Sequence, residues 1–181
     1  MRLLLQRVRE AGVTADGERV ATIGPGLLVF VGVGRDDAPA TVTAMARRAA
    51  ELRIFRDDDG RTNRSLLEVG GGALVVSQFT LYADTARGRR PGFTDAAEPE
   101  VARVRYEQFA AELRALGVDP VATGRFGAEM AVSLVNDGPF TIWLDSRTGT
   151  HPAGSGAGGQ PGRVSAPTWS GCGGSACRQA P

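Results

Sequence analysis

The chain has 181 residues, 42% hydrophobic and 23% charged, with a formal net charge of +1. That length suits one domain with an adequate core, and no apolar run approaches the ~18 residues of a membrane span. Residues 147–181 hold three arginines and no acid, so residues 1–146 carry 18 basic and 20 acidic residues, a net of −2; such a body is excluded as a general polyanion binder, and any nucleic acid it touches must be met by a local patch.

The opening, Met1-Arg2-Leu3-Leu4-Leu5-Gln6-Arg7, is charged too soon for a signal peptide, so a cytoplasmic protein outside the membrane is expected. Residues 2–9 alternate as a strand with one slip, Leu3, Leu5 and Val8 against Arg2, Gln6 and Arg9. Asp16-Gly17, at the middle of Val13 to Ala21, signals a hairpin. Leu27 to Val33 is a continuous apolar run of strand length. From Pro39 to Arg53, apolar residues at 42, 45, 46, 49 and 52 have helical spacing. Leu74 to Leu81, after Gly70-Gly71-Gly72, reads as another buried strand. Glu98 to Leu116 predicts a helix opened by Pro99 and stopped by Gly117, with Val101, Val104, Phe109, Leu113 and Leu116 on one face. Met130, Val132 and Leu134 alternate, as do Phe140, Ile142 and Leu144, so the segment reads as strand, break, strand around Asn136-Asp137-Gly138-Pro139. The sum is an α+β fold over residues 1–146: a mostly antiparallel sheet, curled toward a barrel, with two main helices. Residues 147–181, with nine glycines, four prolines and no periodicity, read as a disordered tail.

Cys172, Cys177 and the single histidine, His151, all fall in that tail, and the chain has no lysine. C-x4-C with one distant histidine is a poor zinc site, and neither metal nor cofactor is expected. A body without His, Cys or Lys excludes a Ser-His-Asp triad, a cysteine nucleophile, a Schiff-base lysine and a P-loop lysine. Chemistry there must use hydroxyls, carboxylates, arginines, amides, backbone groups, or something the substrate brings.

Two acidic or glycine-rich motifs read as plain structure. "RDDDGRTN" (56–63) fails as a calcium loop: with Gly60 at loop position 6, Phe55 and Leu66 would occupy the end positions. "VGVGRDD" (31–37) lacks the third glycine of a nucleotide fingerprint and reads as a strand end and turn. "SQFTLYAD" (77–84) is less plain. On strand alternation Gln78 and Thr80 share one face, Ser77 and Phe79 the other. They are either a strand end with satisfied polar groups or a small pocket able to hold a carbonyl or oxyanion. "ARGRRPGFTD" (86–95) follows, with Arg87, Arg89 and Arg90 on a broken loop, either solvated or binding phosphates.

Together "SQFTLYAD", "GRRPGFTDAA", "TGRFGAEM" and "SLVNDGPFTIWLDS", with the start "QRVREAGVTADGERVATIGPGLLVFVGV", resemble the D-aminoacyl-tRNA deacylase family, formerly called D-tyrosyl-tRNA deacylase. The likeness runs from Met1 to Ser146. It departs from the family at Gly92, usually Ser, and at Phe140, usually Val. The resemblance implies a homodimer with its active sites at the subunit interface. It implies that Gly138-Pro139 is a cis pair reaching into the partner's pocket, whose carbonyls exclude the side chain of an L-aminoacyl group while D-aminoacyl and glycyl groups enter, including glycine mischarged on alanine tRNA. The reaction implied is proofreading hydrolysis of the ester at the tRNA 3′ end. Gln78, Thr80 and the Phe79 N–H match the catalytic positions, and Ser77, Phe126, Met130 and Asn136 match substrate-binding ones. Phe126 and Met130 would line the terminal adenosine pocket. An unassisted threonine is a poor nucleophile, so a water aided by the terminal ribose 2′-OH fits the inventory better. A non-catalytic RNA- or metabolite-binding domain and a general esterase are the rival readings.

Overall fold

The computed structural model describes residues 1–86 and 88–148; Arg87 and residues 149–181, with the expected tail, its histidine and its two cysteines, lie outside the described residues. The strands are β1 (Arg2–Ala15), β2 (Glu18–Ile23), β3 (Gly26–Gly32), β4 (Phe55–Arg56), β5 (Thr62–Arg64), β6 (Gly72–Ser77), β7 (Val121–Thr123) and β8 (Met130–Asp145). The α-helices are α1 (Pro39–Glu51), α2 (Leu66–Val69) and α3 (Pro99–Ala115).

β1 organises the sheet. One of its edges carries β8, antiparallel, from Arg2↔Asp145 to Ala15↔Met130. The other is shared by β3, beside residues 2–8, and β2, beside residues 11–15. Beyond β3 lie β6 and β7, both parallel. The sheet is therefore mixed, with three antiparallel and two parallel pairings rather than an essentially antiparallel set. The cause is connectivity: helical crossovers join β3 to β6 and β6 to β7, and a crossover returns the chain in the same direction. β2 lies beside β6 and β7 without pairing to them, so the sheet curls into a nearly closed, barrel-like form.

β3 shows why its sequence is apolar throughout. Leu27, Val29 and Val31 face the layer formed with α1 and α3, around Phe109 and Leu113. Leu28 faces the inside of the curl, with Val8, Val13, Leu74 and Val76. A strand buried on both faces has no polar alternation. The β1–β2 hairpin turns at Asp16 (φ 53°) and Gly17 (φ 81°), the left-handed pair that a two-residue turn requires.

Four expectations need correction. A third helix, α2, forms where Ser65 and Glu68 make a capping box. On α3 the buried stripe is Tyr106, Phe109, Ala110 and Leu113, while Val101 and Val104 are 45% and 54% exposed. Tyr106 belongs to the core because its hydroxyl donates to the Val75 carbonyl at 2.8 Å. The strand expected from Leu74 to Leu81 stops at Ser77, and Phe79–Tyr82 is a 3₁₀ turn. β8 is one strand, not two. Val8 pairs with Asn136 and Gln6 with Thr141, so Asp137–Phe140 bulge out opposite Arg7 alone.

The acidic run at 56–63 is a turn: the Asp57 carboxylate accepts the N–H groups of Arg61 (2.8 Å) and Asp59 (3.1 Å), and the Arg61 N–H above all holds its pKa below the ordinary value. Asp37 closes "VGVGRDD" by accepting the Gly34 N–H at 2.6 Å. Among the described residues no helix is long and apolar enough to cross a membrane.

Candidate active site

The three parallel strands deliver their carboxyl ends to one place. β3 ends toward Val33 and Arg35, β6 at Ser77, and β7 leads into the loop carrying Phe126. Crevices of α/β sheets open at such ends. Here a cleft of about 570 Å³ is lined by Ser77, Gln78, Phe79, Phe126 and Met130, and also by Phe93, Arg35 and Glu98. Five sequence-predicted residues thus meet across the sheet.

The end of β6 is fixed by close approach. The Gln78 N–H donates to the Val31 carbonyl at 2.8 Å, the last rung before the chain turns. The 3₁₀ turn then lies on Gly32, where a Cβ would stand 3.1 Å from the Gln78 carbonyl oxygen and 3.0 Å from Leu81 Cβ. A side chain at this position would force the turn outward by a few tenths of an ångström, and glycine lets it sit close without that shift. In that turn Gln78 Nε2 donates to Thr80 Oγ1 at 2.5 Å. Gln78 and Thr80 thus come together as the alternation predicts, but through a turn and not on a strand face. The Leu81 N–H donates to the Gln78 carbonyl at 3.2 Å, and among the described residues no bond takes the N–H of Phe79 or of Thr80. Two unpaired N–H groups at the head of a turn can receive a carbonyl or oxyanion.

Aromatic rings flank these donors. Phe79 is 57% exposed and meets Phe93 edge to face, ring centroids 4.9 Å apart. On the other wall Phe126 packs on Tyr106 at 5.8 Å. Burial pushes the Tyr106 hydroxyl up to about 12, so it stands as a neutral support. Met130 folds over Gly124, where a Cβ would meet its sulfur at 2.7 Å. Arg35 and Glu98 are the ionisable side chains among the cleft's lining, both exposed. Sequence reasoning missed them and Phe93; Phe93 and Arg35 lay in motifs already singled out, Arg35 in one read only as a strand end and turn, and nothing local marked Glu98 as a site residue.

The remaining predicted residues lie elsewhere. Arg89 and Arg90 are exposed on a loop closed by Asp84 and Gly92, whose N–H groups bond each other's carbonyls at 2.7 and 2.8 Å; neither lines the cleft. Gly138 and Pro139 belong to the β8 bulge and Asn136, paired with Val8, stands at its edge; none of the three is among the cleft's lining residues of this chain. The Gly138–Pro139 bond is cis, as is Asp119–Pro120. Buried Arg7 holds the bulge from within: its Nε donates to the Asp137 carbonyl at 3.0 Å and pairs with the Asp137 carboxylate at 3.1 Å. Its Nη1 donates to the Ile54 carbonyl, and its guanidinium lies 4.8 Å from the centre of the Phe140 ring. A larger cleft of about 710 Å³ beside α1, lined by Asp37, Arg48, Tyr82 and Arg147 among others, contains none of the predicted residues.

A family model described as D-Tyr-tRNA(Tyr) deacylase matches residues 4–145. A protein from Thermomicrobium roseum named D-aminoacyl-tRNA deacylase is 62% identical over 146 residues, covering 81% of this chain and 94% of its own. One of the same name from Roseiflexus castenholzii is 60% identical over 146 residues, with 81% and 92% covered. A solved structure described as "c-Myc DNA Unwinding Element Binding Protein" superposes with a TM-score of 0.77 at 36% identity, over 80% of this chain and 98% of that one. With the Gln78–Thr80 turn, the aromatic walls and the β8 bulge in place over the matched span, the chain belongs to the D-Tyr-tRNA(Tyr) deacylase family.

Proposed function

We propose that the chain is a D-aminoacyl-tRNA deacylase that hydrolyses the ester joining a D-amino acid to the tRNA 3′ end, releasing free tRNA and the amino acid. The observation that carries this reading is the Gln78–Thr80 turn, with the unpaired Phe79 and Thr80 N–H groups beside a cleft walled by Phe126 and Met130. The ester carbonyl oxygen sits against those N–H groups and the terminal adenosine against Phe126 and Met130. Water adds to the carbonyl carbon, the negative charge on oxygen is held by the N–H donors, and the C–O bond to the ribose breaks. The terminal 2′-OH relays the proton from the water to the departing 3′-oxygen, which suits a body without His, Lys or Cys. Ser77 completes the pocket, and Arg87, Arg89 and Arg90 meet phosphates beyond it.

Selection works by exclusion. In a homodimer the bulge of one subunit faces the cleft of the other, and the Gly138 and Pro139 carbonyls stand where an L side chain would go. D-aminoacyl and glycyl groups, including glycine on alanine tRNA, place nothing there. The substrate makes this a cytoplasmic enzyme of translation quality control that needs no cofactor.

The test is to mix purified protein with D-tyrosyl-tRNA, L-tyrosyl-tRNA and a simple activated ester. Rapid loss of the D ester alone is expected. Binding of D-tyrosyl-tRNA without ester loss would leave a binding domain, and equal cleavage of all three would leave a general esterase.

A further inference from the structure

A bulge of the length found in β8 takes backbone groups out of the ladder, and other groups must hold them. At its Phe140 end, neutral side chains do so. Asn136 Oδ1 accepts the Phe140 N–H at 2.6 Å. Asn136 Nδ2 donates to the Phe140 carbonyl at 3.3 Å and to Thr141 Oγ1 at 3.2 Å. From β1, Gln6 Nε2 donates to the same Thr141 Oγ1, also at 3.2 Å. The Asn136 amide therefore spans the neck of the bulge as a peptide group would. Thr141, accepting from both amides, ties that neck to the neighbouring strand. A hydroxyl has two acceptor lone pairs, so both bonds can be made at once. The Asp137 end is held separately, by Arg7.

We propose that Asn136, Thr141 and Gln6 form a clasp that aims the Gly138 and Pro139 carbonyls, and that all three are positioning residues for the choice between D- and L-aminoacyl groups. This rests on reading those carbonyls as the filter. It reassigns Asn136, which the motif resemblance places among substrate contacts: both ends of its amide are taken by its own strand. Asn136 and Gln6 are half-buried and Thr141 is exposed, so the clasp holds little of the core. Its loss should appear in selectivity before stability.

The experiment compares kcat/KM for L- and D-tyrosyl-tRNA in the full chain and in Asn136→Ala, Thr141→Val, Gln6→Ala and Pro139→Ala, with melting temperature and oligomeric state as checks. Asn136→Ala should raise the L-to-D ratio by about tenfold, the effect of one or two lost hydrogen bonds. Thr141→Val and Gln6→Ala should each raise it less, and their double variant no further than the larger single one, because both remove the same bond. Asn136→Asp, which keeps the acceptor for Phe140, should recover part of the wild-type ratio. If Pro139→Ala raises the ratio while folded Asn136→Ala and Thr141→Val keep the wild-type value, the clasp is wrong and the filter stands. If Pro139→Ala also leaves it unchanged, the filter reading falls and the clasp with it. A higher KM for the D substrate in Asn136→Ala at an unchanged ratio would make Asn136 a direct contact. Thr141→Val, which keeps a β-branched side chain on the strand, carries the test should Asn136→Ala fail to fold.

Discussion

Gln78 and Thr80 stand one residue apart and face each other, the amide of the first donating to the hydroxyl of the second at 2.5 Å where β6 gives way to a 3₁₀ turn. The bond occupies a lone pair of Thr80 and leaves its proton free to point elsewhere. Thr80 is then a hydrogen-bond donor that a neighbour holds in place, and the proposed mechanism assigns it no covalent step.

Gln78→Ala, which removes only the amide that holds the Thr80 hydroxyl, should therefore lower kcat by no more than about tenfold, with KM changed far less. Thr80→Ala should cost only about tenfold, the value of one hydrogen bond, and leave measurable turnover. Steady-state kinetics on D-tyrosyl-tRNA decides; complete inactivity of Thr80→Ala would restore the nucleophile reading. Glu98→Gln should keep activity within several-fold, whereas a 100-fold loss with a shifted pH profile would make Glu98 the base, acid–base catalysis being worth ~10²–10⁴.

Arg7 joins the bulge to the core. Arg7→Ala leaves the Asp137 carboxylate and the Ile54 carbonyl without their buried partner, and should cost about 2–3 kcal/mol of stability. Urea unfolding measures it, and a change within ~0.5 kcal/mol, that of an ordinary surface substitution, would show the bulge is held by other means.

Much of the fold was legible in the sequence because it rests on short-range pattern. The apolar run of β3, the Asp16-Gly17 turn and the α1 spacing each read correctly. The misreadings lie where a distant residue decides. Alternation carried β6 past Ser77 because nothing local reveals that Gly32, on another strand, leaves room for the chain to turn. Asn136-Asp137-Gly138-Pro139 looks like the end of a strand because its residues are those of a turn. The chain instead rejoins β1 beyond them, across Arg7, 130 residues away in sequence. In the candidate site, Ser77, Gln78, Phe79, Phe126 and Met130 were found through their motifs, and the cleft brings them together. Arg35 follows β3 in a stretch read only as a turn, and Glu98 opens a helix read only as a helix; that both reach the cleft depends on how distant strands pack, which neither stretch encodes.

The buried Tyr106 hydroxyl gives a pH dependence with a definite sign. Burial raises its pKa from 10.0 to about 12 in the folded chain, so the native state keeps a proton that the unfolded state loses first. Its contribution is present below pH 10 and lost as pH rises toward 12. Stability measured from pH 9 to 12 should fall less steeply in Tyr106→Phe than in the wild type. Equal slopes would show that Tyr106 is not the titrating group.

A chain ending at Ser146 should fold and deacylate as the full chain does. The family match ends at residue 145, and the Ser146 N–H already closes onto the Met1 carbonyl at 2.9 Å. Activity and melting temperature of the truncated protein are the measurements. A large loss of either would give residues 147–181 a part that their composition does not suggest.

In the proposed mechanism the substrate supplies a proton relay to a body without His, Lys or Cys. That relay is tested most directly by the single-turnover rate on D-tyrosyl-tRNA whose terminal adenosine carries 2′-deoxyribose, against the ordinary ribose form. A loss of at least ~100-fold, the scale of acid–base catalysis, is expected on the deoxy substrate, with binding retained. Full activity on the deoxy substrate, or isolation of an ester between the amino acid and Thr80, would contradict the relay.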